Sequence, residues 1–238
     1  MPRKIRWRQK QGKIHSTGEN MITHWVLAAN GEPASSPRIR TVIADADRVI
    51  SVDGGSRMLA ALGVTPHLAV GDMDSTPPEL LARYRDAGVE LFLHPTRKDA
   101  TDLELALELA LDGEAGLITI LGATGGRLDH TLGNLLLLEH CLKRNTAARI
   151  MDDTQTVYLT DGLLNLQGRP GDTLSIIPVS GDANGVTLTG LEYPLQDAHL
   201  PFGSSQGLSN VFSEEKACVR LRSGRLLVFH LHADNAAL

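Results

Sequence analysis

The sequence predicts an α/β fold: a mostly parallel α/β unit followed by an all-β sandwich. Between about residues 25 and 148, short apolar runs alternate with helical patterns, which implies a parallel sheet with helices on its faces. After Asp152, turn signals separate short strands, the texture of a sandwich or barrel. The chain has 238 residues and is 42% hydrophobic, enough for a proper core and for one large or two smaller domains. The change of texture puts a boundary near residue 150.

The apolar runs at 25–29, 49–52, 68–70, 91–93 and 117–121 read as buried strands. Residues 56–62, 77–87 and 102–111 read as helices, and another starts near Leu128. The 102–111 segment repeats leucine with period two, as a strand would. However, Glu104, Glu108 and Asp112 are four apart and form one polar stripe on a helix. Leu, Ala and Glu are strong helix formers, and Thr101 or Asp99 is available as a cap. In the second half, Asp161-Gly162, Pro170-Gly171-Asp172, Gly181-Asp182 and Ser223-Gly224 punctuate strands at 174–178, 186–188, 217–221 and 226–231.

The net charge of −5 implies no nucleic-acid or membrane partner, and no apolar run approaches the ~18 residues of a membrane span. Cys141 and Cys218 lack any metal-ligand or disulfide pattern, so free thiols in a reducing, cytoplasmic compartment are expected. Residues 1–20 form a basic extension carrying Arg3, Lys4, Arg6, Arg8, Lys10 and Lys13. It is expected to be disordered, or to precede a natural start at Met21, and stands outside the fold argument.

The chemistry-bearing residues follow the predicted strands. Asp53-Gly54-Gly55, Gly71-Asp72-Met73-Asp74, Lys98-Asp99-Ala100-Thr101-Asp102 and the segment from Gly122 through Gly125, Gly126, Arg127 and Asp129 to His130 all do so. Open parallel sheets bind ligands at the carboxyl ends of their strands, so six aspartates are expected to converge there. Such a cluster is self-repelling unless cations compensate, and magnesium, which takes carboxylate and phosphate oxygens, is the natural partner. Glycine amides and a helix N-terminus suit phosphate, and Arg127 offers a bidentate clamp. Arg127, His130 and Asn134 share one helix face. No Walker A or GxGxxG pattern is present.

Taken together, these motifs resemble the thiamine pyrophosphokinase family. The resemblance runs from Met21 to the C-terminus: Ala29-Asn30-Gly31, DGG at 53–55, GDMDS at 71–75, KDATD at 98–102, GGRLDH at 125–130, TGLEYPL at 189–195 and GLSN at 207–210. It implies an α/β catalytic, nucleotide-binding domain over 21–150 and a β-sandwich thiamine-binding domain over 151–238. It also implies a homodimer with sites between subunits, in which the thiamine hydroxyl attacks the β-phosphorus of ATP and AMP leaves. By motif position, Asp72, Asp74 and Asp102 would hold Mg2+. Asp53, Gly54, Lys98, Asp99, Gly125, Gly126, Arg127, Asp129, His130 and Asn134 would serve ATP and its triphosphate. Thr187, Ser209 and Asn210 would approach thiamine, and Tyr193, where some members carry Trp, would stack on it.

Two enzyme alternatives stand beside this. The run from Asp72 to Thr76 fits the DxDxT nucleophile pattern of haloacid-dehalogenase-type phosphatases, with Asp152-Asp153 imitating their later acidic pair. That reading leaves GGRLDH and KDATD without a role. A pyrophosphokinase with a pterin-like acceptor would differ around Tyr193 and Ser209-Asn210. A non-catalytic nucleotide sensor would have no reason to keep six repelling carboxylates.

Overall fold

The structure, a computed structural model, describes residues 23–74, 76–93 and 99–233. The basic extension expected at 1–20, and the site residue Lys98, lie outside these. The first half runs β1 (His24–Ala28), α1 (Pro37–Ala44), β2 (Arg48–Val52), α2 (Gly55–Ala61), β3 (Leu68–Gly71), α3 (Pro78–Asp86), β4 (Glu90–Leu93), α4 (Asp102–Asp112), β5 (Leu117–Leu121), α5 (Leu128–Leu136), α6 (Leu138–Lys143) and β6 (Ala147–Met151). The rest is all strand: β7 (Gln155–Thr160), β8 (Leu163–Gln167), β9 (Thr173–Pro178), β10 (Ala183–Thr189), β11 (Leu195–Leu200), β12 (Asn210–Val211), β13 (Lys216–Arg220) and β14 (Leu226–Leu231).

These strands form a ten-stranded sheet in the order β12-β9-β14-β7-β6-β5-β1-β2-β3-β4 and a four-stranded sheet, β11-β10-β13-β8. From β6 to β4 the large sheet is parallel, while β7, β14, β9 and β12 join it antiparallel. The ladder therefore crosses the expected boundary near 150 without a break: Ile150 pairs with Val157, and Met151 with Thr156.

Each face of the parallel part is covered, as its continuous apolar strands require. On one face, α4 contributes Leu103, Ala106, Leu107 and Ala110 against Leu27, Ile50, Val70 and Ile120. The polar stripe of α4 meets the neighbouring helix, where Glu108 pairs with His140 at 2.6 Å and Arg144 at 3.1 Å. The period-two leucines are thus the product of a helix buried on most sides. On the other face, Ile39, Val42 and Ile43 of α1 and Met58 and Leu59 of α2 pack on Val26 and Ala28. Helix α1 was not anticipated; its start is marked by Ser36, whose hydroxyl caps Ile39 N, followed by Pro37.

In the antiparallel part, inward residues of both sheets share one core. Leu174 and Ile176 of β9 and Val228 of β14 meet Val186 and Leu188 of β10 and Val219 of β13. Cys141 sits in the core of the first half, and burial pushes its thiol up to about 12, so it stays protonated and inert.

Candidate active site

Strand β1 lies between β2 and β5, so the connections leave it in both directions and the loops beyond β1 and β5 splay apart. This is the switch point at which open α/β sheets bind ligands. A crevice of about 700 Å3 opens there, lined by Asn30, Gly31, Asp53, Asp102, the loop from Gly122 to Arg127, His130 and Asn134. Its rim is tied across by Gly31 N donating to Gly122 O at 2.7 Å and Glu32 N donating to Thr124 O at 2.8 Å. Asn30, Thr124 and Thr131, all lining the crevice, were not anticipated as site residues. The Asn30-Gly31 pair, one residue beyond β1, was the available signal.

Carboxylates gather beside it. Asp53, Asp72 and Asp74 each place an oxygen within 4.8 Å of the others. Gly71 explains how Asp102 joins them. With φ +143, a conformation L side chains rarely adopt, it lies so close that an added Cβ would sit 3.3 Å from Asp53 Cα and 3.4 Å from Asp102 Oδ1. Asp53 (φ 47) and Met73 (φ 62) are themselves left-handed. Strain of this kind in non-glycine residues persists where the surroundings enforce it, commonly at functional loops. Met73 supplies part of that enforcement, being buried with Leu80 and Tyr84, while Asp74 N donates to Asp72 Oδ1 at 3.2 Å across it. Hard oxygen donors in this spacing fit a magnesium ion. The grouping differs from the expected trio of Asp72, Asp74 and Asp102 in bringing in Asp53.

The glycine-rich loop is held from below by α5. Asn134 Nδ2 donates to Ala123 O at 2.7 Å, and the Thr131 hydroxyl bonds both Gly125 N and Gly125 O at 3.2 Å. Asn134 thus shapes the loop as well as lining the crevice. Gly126, Arg127 and His130 are exposed at its mouth. Arg127 is paired with Asp129 at 2.6 Å, and its hydrogen bonds hold the Asp129 carboxyl down to about 2. Asp129 therefore stays ionised at any physiological pH and reaches the crevice only through its arginine. Gly54 abuts Asn30 so tightly that a Cβ there would collide with the carboxamide. Asp99 is exposed, just before the crevice-lining Ala100 and Thr101.

The second-half residues form a separate group. Asn210, buried, accepts from Tyr193 N at 3.0 Å and donates to Tyr193 O at 2.7 Å, leaving the Tyr193 ring 66% exposed. Ser209 (φ 58) donates its N–H to Ser175 Oγ at 2.9 Å. Thr187, on β10, accepts from Asp197 N at 3.2 Å. None of these four lines the crevice.

Asp152 and Asp153, which could have imitated a phosphatase acidic pair, are spent on the backbone and on loops. Burial works to raise the Asp152 pKa, but hydrogen bonds from Thr154 and Gln155 outweigh it and hold the pKa below the usual value. Asp153 accepts from Ser35 N and Ser36 N at 2.8–3.0 Å.

Fold and crevice define the class: an α/β protein with a candidate ligand site at the carboxyl ends of parallel strands. A family model for the thiamin pyrophosphokinase catalytic domain matches residues 39–150, and one for the thiamin pyrophosphokinase vitamin B1 binding domain matches 163–226. The chain belongs to the thiamine pyrophosphokinase family. It is 35% identical to the thiamine pyrophosphokinase of Bacillus subtilis over 181 residues, 75% of this chain and 85% of that one. The crystal structure of a Bacillus subtilis thiamine pyrophosphokinase superposes with a TM-score of 0.79 at 29% identity, covering 89% of this chain and all of that one. A Geobacillus thermodenitrificans thiamin pyrophosphokinase gives 0.73 at 31% identity, covering 92% and 100%.

Proposed function

We propose that this chain transfers the pyrophosphoryl group of ATP to the thiamine hydroxyl, giving thiamine diphosphate and AMP. The observation that carries this reading is the convergence of Asp53, Asp72, Asp74 and Asp102 beside a glycine-lined crevice at the switch point. Transfer of this kind needs alignment and charge neutralisation more than covalent chemistry. Asp53, Asp72 and Asp74, with Asp102 adjacent, would hold magnesium. When bound, the metal neutralises phosphate oxygens that would otherwise be repelled by these carboxylates.

The remaining roles belong to the chain itself. Amides of Gly54, Gly125 and Gly126 approach phosphate without side-chain obstruction, and Arg127, kept in place by Asp129, pairs with it. His130 and Asn134 complete that wall, and Lys98 and Asp99 would serve the triphosphate by motif position. The hydroxyl oxygen forms its bond to the β-phosphorus as the bridge to the α-phosphate breaks, so the hydroxyl proton is released and the bridging oxygen leaves with AMP.

For the acceptor, the exposed Tyr193 ring offers a π face to the thiazolium cation, with Ser209, Asn210 and Thr187 supplying polar contacts. We read the two halves as a catalytic domain over 21–150 and a thiamine-binding domain over 151–238, working as a homodimer. Two features support the dimer. The acceptor residues of one chain do not line its own crevice. In addition, Leu128, Leu132 and Leu136 form an exposed stripe on α5, 45–80% accessible, and such a stripe calls for a partner. We place the protein in the cytoplasm on its cysteine usage; no described helix is long and apolar enough to cross a membrane.

The test is AMP release from ATP and thiamine by wild type and Asp72→Asn. The variant folds, keeping the side-chain shape, but loses a ligand oxygen's charge and about 100-fold or more of kcat. Full activity in Asp72→Asn, or inorganic phosphate release from small phosphoesters in place of AMP, would overturn the reading.

A further inference from the structure

Away from the crevice, a buried polar cluster sits behind the acceptor residues. Asp172 and His230 are 3% and 2% exposed, and His230 Nε2 donates to Asp172 Oδ2 at 2.7 Å. The carboxylate also accepts from Arg169 N at 3.0 Å and Ala233 N at 2.8 Å. His232 lies beside His230 with ring centroids 4.2 Å apart and planes tilted by 54°, and it bonds Thr156 Oγ1 at 3.0 Å. Asp, His and His are metal-ligand types, but Nε2, as the donor in this pair, turns a proton and not a lone pair towards Asp172. The arrangement is that of a brace.

What it braces is Phe212. The phenyl ring stacks on His230 at 4.7 Å and 25°, and Phe212 N donates to the Asp172 carbonyl at 2.8 Å. The fit leaves no slack, since a Cβ on Gly168 would meet Phe212 at 2.7 Å and His230 Nε2 at 3.0 Å. Phe212 directly follows β12, which carries Asn210, and it bridges to Leu191, two residues before Tyr193. Glu192 N donates to Val211 O at 2.8 Å. Both segments of the acceptor group therefore register against this one residue.

We propose that Asp172 and His230 are positioning residues for the acceptor, acting through Phe212 to hold Asn210, Ser209 and Tyr193 in register. This rests on the acceptor assignment given above. A buried hydrogen bond of this kind gives only modest net stability, but it is directional, and small misplacements of binding groups cost transfer efficiency steeply. The crevice wall that receives ATP shares none of these contacts.

The experiment is steady-state kinetics of the full chain with magnesium, varying thiamine and ATP separately, together with thermal melts. For Asp172→Asn the KM for thiamine rises about tenfold while the KM for ATP stays within about twofold. Phe212→Leu keeps apolar bulk but loses the stack, gives the same split, and serves if Asp172→Asn does not fold. A lowered Tm with both KM values unchanged, or an equal shift in both, shows a merely structural role and overturns the proposal. Tyr193→Ala separates the two ideas: if it leaves the thiamine KM unchanged, the acceptor assignment fails and the brace falls with it. If Tyr193→Ala raises that KM and Asp172→Asn does not, only the brace fails.

Discussion

Asp74 is exposed, and Asp53 and Asp72 are only half-buried, so these carboxylates carry little of the fold and their use is in charge. Asp74→Asn is expected to change stability by less than about 1 kcal/mol and to lower kcat about 100-fold or more; urea melts and AMP release check the two halves. Asp53, Asp72 and Asp74 were legible in the sequence because they come at or just after the ends of short apolar runs. Their grouping was not. That Asp53 brings an oxygen within 4.8 Å of Asp72 and Asp74 follows from β2 and β3 being hydrogen-bonded neighbours and from the two left-handed residues that turn their loops. Neither fact has a local signature. Tyr193 and Asn210 were legible only through motif resemblance; the clamp between them spans 17 residues and two strands.

Helix α4 shows how a misleading period is resolved by burial. Its leucines alternate because nearly every side is covered, and its start is set by Thr101, whose hydroxyl accepts from Glu104 N. Thr101→Ala is expected to cost about 1 kcal/mol in chemical denaturation. Because Thr101 also lines the crevice, it should raise the KM for ATP as well. Helix α5 presents the opposite case, with leucines at 128, 132 and 136 facing outward. Leu132→Glu leaves the fold intact and weakens self-association about 100-fold, to be read by sedimentation; an unchanged dimer would remove α5 from the contact. Strands β6, β7 and β8 escaped the sequence reading because their apolar and polar residues are mixed and their turns are tight. Their pairing partners supply what their own composition lacks.

For the molecule as a whole, one source of acid sensitivity lies in the second half. Burial, then the charges of His230 and Arg38, lower the His232 pKa to about 4, whereas in the unfolded chain it returns to an ordinary histidine value. Between those values the unfolded state binds the extra proton and the folded state does not, so stability falls as pH drops from about 7 towards 4. Thermal melts across that range check the sign, and His232→Gln should flatten the slope.

The ladder from β4 to β12 gives the molecule one mechanical spine. Heating cannot release the acceptor end while the nucleotide end stays intact, because β6 and β7 would each be left with a bare edge. Calorimetry should accordingly show a single heat-absorption peak, and a chain cut between Met151 and Gln155 should yield two sticky fragments that recover when mixed.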